Sequence, residues 1–188
     1  MTDLKHTMIE EGKKHYWGFL LIYCNELKDF FEELFRKKGH LDILEIGCFK
    51  GFLVGWLKEN FPRPPYSWNY VGIDIVEPPD RRKDYPHLIM NAEALEFPPN
   101  SFDAVIMIEV LEHIIDYTKA LYEIYRVLRR GGGLFIQAPM CDDPTAVSDP
   151  THYHVLHPAT LTRLLQWIGF TNIKYKKNGN FVVVAYKE

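Results

Sequence analysis

The stretch Ile43-Leu44-Glu45-Ile46-Gly47-Cys48-Phe49-Lys50-Gly51-Phe52 decides the fold of this chain. Its apolar first half predicts a buried β-strand, and its glycines predict a tight turn that leads directly into a helix. Glycine has no Cβ, so the backbone of such a turn can approach a bound ligand closely. Glu45 lies at the carboxyl end of the strand, where open α/β sheets bind their ligands. The stretch therefore predicts a strand, a turn and a helix, with a ligand site at the turn.

A second acidic strand end follows along the chain. The short apolar segment Val71-Gly72-Ile73-Asp74-Ile75 predicts another strand, and Asp74 comes 23 residues after Gly51. A carboxylate at this position can accept hydrogen bonds from two ribose hydroxyls. One glycine turn alone is weak evidence, but together with the second acid it indicates a cofactor that contains a nucleoside. The alternative is that Glu45 only caps a local group and Asp74 only ends its strand.

The composition indicates one ordinary globular domain. The chain has 188 residues, of which 47% are hydrophobic and 25% charged, enough to bury a single core. Its formal net charge of −3 does not favour non-specific binding to nucleic acid or to anionic membranes. Three widely spaced cysteines imply neither a disulfide framework nor a zinc knuckle, and reduced thiols indicate a cytosolic setting.

The N-terminal residues do not resemble a targeting or membrane segment. Residues 1–14 are polar and lack the apolar core of a signal peptide. The longest apolar run nearby, residues 16–24, has about nine residues, whereas a membrane span needs about twenty. We therefore expect a soluble, cytoplasmic protein with no membrane partner.

Strands and helices alternate along the chain, which favours a parallel sheet with helices on both faces. The spacing of apolar residues predicts a first helix over residues 18–35, ended by Gly39. We expect this helix only to pack on the sheet. The alternative is that Tyr16 and Trp17, before it, cover a ligand pocket. Further strands are predicted at residues 42–47, 70–75, 87–91, 103–109 and 133–138, and further helices at residues 51–60, 117–129 and 158–168.

The end of the chain predicts a different arrangement. Residues 173–177 and 181–186 are strand-like, and Asn178-Gly179 between them favours the tight turn of an antiparallel hairpin. Pro78 and Pro79 argue against a full helix between the second and third strands. Few α/β folds have a parallel sheet that ends in an antiparallel hairpin at one edge, so this pattern narrows the possible folds.

With these elements in place, the chain resembles the class I S-adenosylmethionine-dependent methyltransferases over residues 41–188. The resemblance rests on several motifs in order along the chain. They are Glu45-Ile46-Gly47-Cys48-Phe49-Lys50-Gly51, similar to the family's acid and three alternating glycines; Asp74, at the ribose-binding position; Asn91-Ala92-Glu93-Ala94-Leu95-Glu96-Phe97, similar to the adenine-contacting segment; Ser101-Phe102-Asp103, at the start of the fourth strand; Glu109-Val110-Leu111-Glu112-His113; and Arg126-Val127-Leu128-Arg129-Arg130-Gly131-Gly132.

The resemblance implies a fold, a cofactor and an activity. The implied fold class is α/β, a Rossmann-like doubly wound sheet that is mostly parallel, with seven strands and an antiparallel C-terminal hairpin. Residues 1–188 would form one methyltransferase domain, with an N-terminal helical cap at residues 1–40 and a cofactor-binding core at residues 41–188. The cofactor would be S-adenosyl-L-methionine, and the activity would be methyl transfer to an oxygen or nitrogen atom of a small molecule.

The resemblance also implies roles for single residues. The cofactor's amino and carboxylate groups would lie over the glycine turn, near Glu45 and the free N–H groups of the following helix. Asp74 would bind the ribose, Ile75 would pack on the adenine, and the Ala92 N–H would meet a ring nitrogen. The residues implied to bind the cofactor are Glu45, Gly47, Cys48, Phe49, Gly51, Asp74, Ile75, Asn91, Ala92 and Glu109.

Three residues depart from the family pattern. Phe49 occupies the position of the middle glycine, so the turn must bulge there or an aromatic ring must cover the ligand. Asn91 stands where aspartate is usual, and its amide oxygen can still accept a hydrogen bond from the adenine amino group. Arg130 replaces a usual proline, which changes only a surface turn. Phe49 and Asn91 motivate an alternative function, a non-catalytic methyltransferase-like binding protein.

Two groups of residues carry candidate chemistry near the expected position of the methyl group. Glu109, Glu112 and His113 follow the fourth strand, and the loop at residues 149–158 contains three histidines. His113 and His154 are the catalytic candidates, as a base or a substrate contact. Similar clusters bind metal in small-RNA 2′-O-methyltransferases and some quinone-pathway O-methyltransferases. Two alternatives stay open for these residues. One is a metal ion bound by Glu109, Glu112, His113 and His154, and the other is a purely structural role. No metal site is assigned.

The acceptor is predicted only by class. A chain with one N-terminal helix beyond the core favours a small, apolar or aromatic acceptor. Nucleic acid is not favoured, because the lysines at residues 174–177 also suit an edge strand that avoids aggregation, and Arg81-Arg82-Lys83 suits a solvated loop. The remaining alternative is a metal-assisted RNA methyltransferase that uses the cluster at residues 109–113.

Overall fold

The first helix is the N-terminal part of the structure. The computed structural model describes residues 22–188, so the predicted helix before residue 22 and the alternative role of Tyr16 and Trp17 lie outside the described residues. Helix α1 is Cys24–Lys38, and its buried side chains recur on one face. It ends where predicted, at Gly39, whose φ is +72° and whose N–H donates to the Phe35 carbonyl at 2.8 Å.

The remaining elements follow the predicted alternation. They are β1 (His40–Ile46), α2 (Phe52–Asn60), β2 (Ser67–Asp74), β3 (His87–Ile89), β4 (Phe102–Ile108), a 3₁₀ turn (Leu111–His113), α3 (Tyr117–Val127), β5 (Leu128–Ala138), α4 (Pro144–Ser148), α5 (Pro158–Ile168), β6 (Thr171–Asn178) and β7 (Asn180–Lys187). Residues 75–86, between β2 and β3, contain no helix, as the adjacent prolines predict. Within residues 22–188, no helix combines the length and the apolar composition needed to cross a bilayer.

The strands form one sheet. In the described residues it has seven strands in the order β3-β2-β1-β4-β5-β7-β6. The first five strands pair in parallel, whereas β7 pairs antiparallel with both β5 and β6. The order reverses between β1 and β4, and a crevice at the carboxyl ends of these two strands is where such sheets bind ligands. The structure therefore confirms the predicted fold class.

Apolar side chains cover both faces of the sheet. On β1, Leu41 and Ile43 join the core beneath α1 and α2, whereas Leu44 and Ile46 join the core beneath α3 and α5. Period-two burial on a strand with both faces covered gives the continuous apolar run that the sequence shows. The sheet is thus doubly wound, and only its strand ends and edges are open to a ligand.

The segment before β5 differs from the prediction. The helix predicted to residue 129 ends at Val127, and the strand predicted from residue 133 already begins at Leu128, which pairs with Phe102. The pairing is irregular before Ala104 meets Gly133, where Gly131 has a φ of +72°. The glycines therefore allow a bulge within a strand, because pairing with β4 outweighs the local preference for a turn.

Candidate active site

The turn after β1 carries three residues with positive φ in alternation. Gly47 has a φ of +73°, Phe49 of +41° and Gly51 of +81°. The N–H groups of Gly47 and Cys48 both donate to the Ile73 carbonyl, at 2.8 and 3.0 Å, which fastens the turn to β2. The turn accommodates Phe49 by a left-handed backbone, which costs a non-glycine residue about 1–2 kcal/mol.

Both glycines of this turn are required by neighbouring side chains as well as by φ. A Cβ added at Gly47 would lie 2.2 Å from Cγ2 of Val110, and one added at Gly51 would lie 2.3 Å from Cε1 of Tyr85. Real Cβ atoms do not approach other atoms so closely. The space beside each glycine is thus occupied by the chain itself, a close packing that the sequence does not reveal.

Glu45 lies below the turn and away from solvent. Its carboxylate is fully buried, and the hydroxyl of Tyr70 donates a hydrogen bond to it. It lies on the α1 and α2 face of the sheet, where its charge raises the pKa of the buried Cys48 thiol in addition to the larger effect of burial. The predicted contact of Glu45 with the cofactor stays a prediction.

Asp74 lies beside the turn at the end of β2. Its Oδ2 accepts the N–H of Phe49 at 2.9 Å, and its Oδ1 accepts the N–H of Val76 at 3.2 Å. Burial raises the pKa of the carboxyl, although these backbone donors oppose the rise. The Ile75 N–H is a third backbone donor to this carboxylate. The carboxylate thus supports the Phe49 backbone and keeps part of its acceptor capacity for further hydrogen bonds.

The predicted adenine contacts lie at the edge next to Asp74. Ile75 is 44% exposed, an apolar side chain directly after the strand. The Asn91 side-chain oxygen accepts the N–H of Glu93 at 2.9 Å and thereby closes the local turn. Ala92 is buried, and its N–H bonds to no residue within residues 22–188. An exposed apolar side chain after β2 and an unpaired N–H after β3, two strands that pair with each other, suit a purine ring.

Glu109 begins the segment after β4, with a φ of +54°. Its Oε1 accepts from Nε2 of Gln137 at 3.0 Å and from Nδ2 of Asn180 at 2.8 Å. Burial raises its pKa from 4.5 to about 7, while the two amides act in the opposite direction. The structure thus places a carboxyl that titrates near neutral pH at the crevice between β1 and β4, held by residues of β5 and β7.

The two catalytic candidates are not joined. His113 is held by Thr151, whose carbonyl oxygen lies 3.0 Å from Nδ1, and burial lowers the pKa of its ring. His154 places Nε2 at 2.9 Å from the Ile115 carbonyl, and its ring packs edge-on against Tyr117 at 4.7 Å. The cluster that forms instead joins Glu112 and His113 with His152.

Several residues of the site carry no local signal in the sequence. Tyr70, Tyr85, Gln137 and Asn180 reach the site across the sheet or from a loop, and their partners are 25 to 71 residues away along the chain. The three histidines before α5 are visible in the sequence as a cluster, but their spacing alone does not show which role each one has. His157 proves to cap α5, since its Nδ1 accepts the N–H of Ala159 at 3.2 Å.

A groove of about 780 Å³ lies elsewhere, along residues 68–71 of β2, which do not pair with β3. Lys58, Arg63 and Asp84 contribute charged groups to its lining, with Trp68 and Tyr85 as aromatic walls. None of the residues predicted to bind cofactor lines it. The strand ends, and not this groove, hold the acids and glycines that carry the predicted chemistry.

Comparisons with known proteins agree with this location. The family described as a methyltransferase domain matches residues 44–136, which include the turn, Asp74 and Glu109. A probable S-adenosylmethionine-dependent methyltransferase of Mycolicibacterium smegmatis is 28% identical over 149 residues, 74% of this chain and 56% of that protein. The ubiquinone/menaquinone biosynthesis C-methyltransferase of Escherichia coli is 39% identical over 69 residues, 35% of this chain and 28% of that protein. The chain therefore spans less than two thirds of either relative.

A solved structure shows the same fold over nearly the whole chain. It is the 1,6-didemethyltoxoflavin-N1-methyltransferase of Burkholderia thailandensis with 1,6-didemethyltoxoflavin and S-adenosylhomocysteine bound. The TM-score is 0.67 at 17% identity, covering 96% of this chain and 84% of that one. The fold and the strand-end residues together define a class I methyltransferase domain. The chain belongs to the S-adenosylmethionine-dependent methyltransferase family, whose cofactor is S-adenosyl-L-methionine.

The residues present fit this cofactor. Asp74 retains acceptor capacity for the ribose, and Ile75 and the Ala92 N–H offer an apolar face and a donor for adenine. Helix α2 begins at Phe52, directly after Gly51, and the first turn of a helix can bind a carboxylate. The family and the cofactor predicted from the motifs are thus confirmed, whereas the role of each residue remains a prediction.

Proposed function

We propose that the protein is a methyltransferase that uses S-adenosyl-L-methionine to methylate an oxygen or nitrogen atom of a small molecule. The observation that carries this proposal is the position of Glu109, a carboxyl with a pKa of about 7 at the same strand-end crevice as the glycine turn and Asp74. The crevice thus combines groups for a nucleoside cofactor with a group that can take a proton from an acceptor.

Binding of the cofactor is assigned to the residues of the turn and of β2. Asp74 would hold the ribose hydroxyls, and Ile75, Asn91 and Ala92 would surround the adenine. The positive φ of Phe49 directs its N–H to Asp74, so the turn and the carboxylate form one preorganised unit. In this proposal residues 41–188 are the cofactor-binding core and residues 1–40 the helical cap.

The chemical step needs little from the protein beyond alignment. The cofactor supplies a methyl group on a sulfonium, which is displaced in line by the acceptor atom. The protein contributes by holding the acceptor in place, and such positioning supplies a large part of the rate. An O–H or N–H acceptor must also lose a proton, and a base with a pKa near the working pH is best suited to take it. Glu109 is the proposed proton acceptor, and His154 is a proposed substrate contact at the rim.

The surface near these groups favours a small acceptor. Ile115, Tyr153 and Val155 follow or precede the site histidines and are each at least half exposed, as apolar or aromatic side chains. The cations of the loop after β2 are instead engaged by acids of the chain. Arg81 and Lys83 pair with Glu77 at 2.9 and 3.2 Å, so they are not presented as a free phosphate-binding patch.

A turnover assay tests the proposal. The protein is incubated with S-adenosylmethionine that carries an isotope-labelled methyl group, together with panels of small phenols, carboxylic acids and amines, and separately with RNA. We expect label on an oxygen or nitrogen of a small molecule, identified by NMR, and at least tenfold slower transfer by Glu109→Gln than by the matched surface variant Glu59→Gln, which changes an exposed side chain.

The other outcomes separate the alternatives. Label found only on carbon would contradict the assigned acceptor atom, as in the Escherichia coli relative that is named a C-methyltransferase. Label found only on RNA would favour an RNA methyltransferase. Binding of the cofactor product without transfer to any acceptor would favour a non-catalytic binding protein.

A further inference from the structure

A buried acid near the crevice is without a partner. The side chain of Glu112 is 1% exposed, and neither of its carboxylate oxygens has a hydrogen-bond partner in the described part of the chain. A buried ionised carboxylate without a partner costs several kcal/mol. The group must therefore be protonated or be balanced by a cation.

The nearest imidazole has its lone pair free. Nδ1 of His113 lies 3.0 Å from the Thr151 carbonyl oxygen. A carbonyl oxygen only accepts, so Nδ1 carries the proton and Nε2 carries the lone pair. Nε2 lies 3.9 Å from Oε1 of Glu112, beyond hydrogen-bond reach. Two acceptor atoms therefore face each other with no proton between them, provided that Glu112 is ionised.

A second imidazole repeats this arrangement. Nδ1 of His152 lies 2.8 Å from the Ala146 carbonyl oxygen, which again leaves the lone pair on Nε2. The rings of His113 and His152 meet edge to face, with their centroids 4.7 Å apart. A histidine that binds a metal usually donates its other N–H to a carbonyl or carboxylate, which fixes the ring. Both rings already make this bond.

We propose that Glu112, His113 and His152 bind one divalent transition metal ion. One ligand atom from each residue lies within 4.8 Å of the other two. Bonds of about 2.0–2.2 Å to a tetrahedral ion place its ligand atoms about 3.4 Å apart, so binding draws the three side chains inward. The cation would balance the buried carboxylate and occupy both imidazole lone pairs.

The backbone holds the two halves of this site together. The N–H groups of Tyr153 and His154 both donate to the Glu112 carbonyl, at 2.9 and 3.3 Å. The loop that carries His152 is thereby attached to the 3₁₀ turn that carries the other two ligands. Asp149 lies 3.7 Å from Nε2 of His152 and adds negative charge at the site.

The donor set selects the kind of ion. Two imidazoles and one carboxylate suit zinc and its neighbours, whereas magnesium prefers six oxygen ligands. Three protein ligands also leave a position open for water or a substrate oxygen. His154 is not part of the set, because its Nε2 donates to the Ile115 carbonyl. The site thus differs from the set that included His154, and it does not depend on methyl transfer.

The test uses the full-length protein after treatment with a chelator and dialysis. Calorimetry with zinc chloride should show one ion per chain, and magnesium chloride should show no comparable binding. His152→Ala should weaken zinc binding at least tenfold, whereas the matched control His154→Ala, two residues along the same loop, should bind as the unaltered protein does. Thermal melting of each variant confirms that it is folded.

Cobalt substitution provides a second measurement that distinguishes this site from the free thiols. The three cysteines are not paired with one another, and zinc could bind to them. Cobalt at the proposed site should give visible absorption without a thiolate charge-transfer band. A folded protein that binds no zinc, equal affinity in the two histidine variants, or a thiolate band would each overturn the proposal.

Discussion

Two of the three left-handed residues in the turn after β1 are glycines, and the third is Phe49. What excludes or permits a side chain differs between these positions. At Gly47 and Gly51 the conformation and the adjoining side chains of Val110 and Tyr85 both exclude a Cβ. At Phe49 only the conformation is strained, and Asp74 compensates by accepting its N–H. The strain therefore lies at the point where the proposed cofactor would bind.

Substitution of Gly51 separates crowding from conformation. Gly51→Ala should reduce the free energy of unfolding by about 2–5 kcal/mol, the sum of a left-handed alanine and an overpacked contact with Tyr85. Gly179→Ala is the matched control, because Gly179 also has a positive φ, +75°, but nothing lies within 4 Å of the added Cβ. It should cost about 1–2 kcal/mol. Urea unfolding measures both, and equal losses would show that crowding at Gly51 is unimportant.

The sequence predicts which residues matter in this turn better than it predicts why. The acid, the glycines and the second acid are adjacent to strand ends, and local patterns reveal strand ends. Val110 and Tyr85 come from distant segments, so the packing that also demands the glycines cannot be read locally. The same holds for Glu45, whose burial beneath Tyr70 depends on pairing between β1 and β2.

At the scale of elements, the site is assembled from the ends of neighbouring strands. Glu109 follows β4, Gln137 belongs to β5 and Asn180 begins β7, and the three meet in one hydrogen-bonded group. The backbone of Asn180 is held in turn by Tyr23, whose hydroxyl donates to the Asn180 carbonyl at 2.5 Å. Glu109 is therefore connected by hydrogen bonds to β5, to β7 and, through Asn180, to Tyr23 at the start of α1. We expect the protonation state of Glu109 to affect the stability of the fold.

This arrangement makes stability depend on pH. Burial raises the pKa of Glu109 to about 7 and also raises that of Glu112. Between about pH 5 and pH 7 Glu109 keeps a proton in the folded protein that it has lost in the unfolded chain, so its contribution makes unfolding easier as the pH rises. Burial lowers the pKa of His113, which acts in the opposite direction. The slope is at most about 1.4 kcal/mol per pH unit for each group. Carboxyls with lowered pKa values, such as Glu123, act below this window.

Glu109→Gln should flatten that dependence. Glutamine keeps an oxygen that can accept from Gln137 and Asn180 but has no charge to bury. Denaturant unfolding of the chelator-treated protein from pH 5 to pH 8 should show a smaller fall for this variant, with higher stability at pH 8. The exposed Glu96→Gln should retain the slope of the unaltered protein. An identical slope in Glu109→Gln would show that Glu109 does not titrate in this range.

Most elements were predictable because each has a local pattern of its own. The hairpin is an example, with Gly179 between the paired residues Asn178 and Asn180. The start of β5 was not predictable, because its pairing with β4 overrides the local turn preference of the glycines. The short helix α4 was missed although Asp143 and Pro144 form a start signal, since the Asp143 side chain accepts the Thr145 N–H at 2.8 Å.

For the whole molecule, the order of the strands fixes where chemistry can occur. The reversal between β1 and β4 opens one crevice, and the glycine turn and Glu109 lie on its two sides. The motifs predict this crevice and its family because they occur in the order that the topology requires. They do not predict the acceptor, because the groups that would contact it come from loops whose positions depend on the completed fold.

The central claim is that the carboxylate at the end of β2 and the turn after β1 bind the adenosyl part of the cofactor. Calorimetry with S-adenosylhomocysteine tests it most directly, on the unaltered protein, on Asp74→Asn, and on the exposed Asp29→Asn as control. We predict micromolar binding to the unaltered protein and to the control, and at least tenfold weaker binding to Asp74→Asn, because charged hydrogen bonds contribute about 1.5–3 kcal/mol each. No binding to the folded, unaltered protein, or equal binding by all three, would contradict the account.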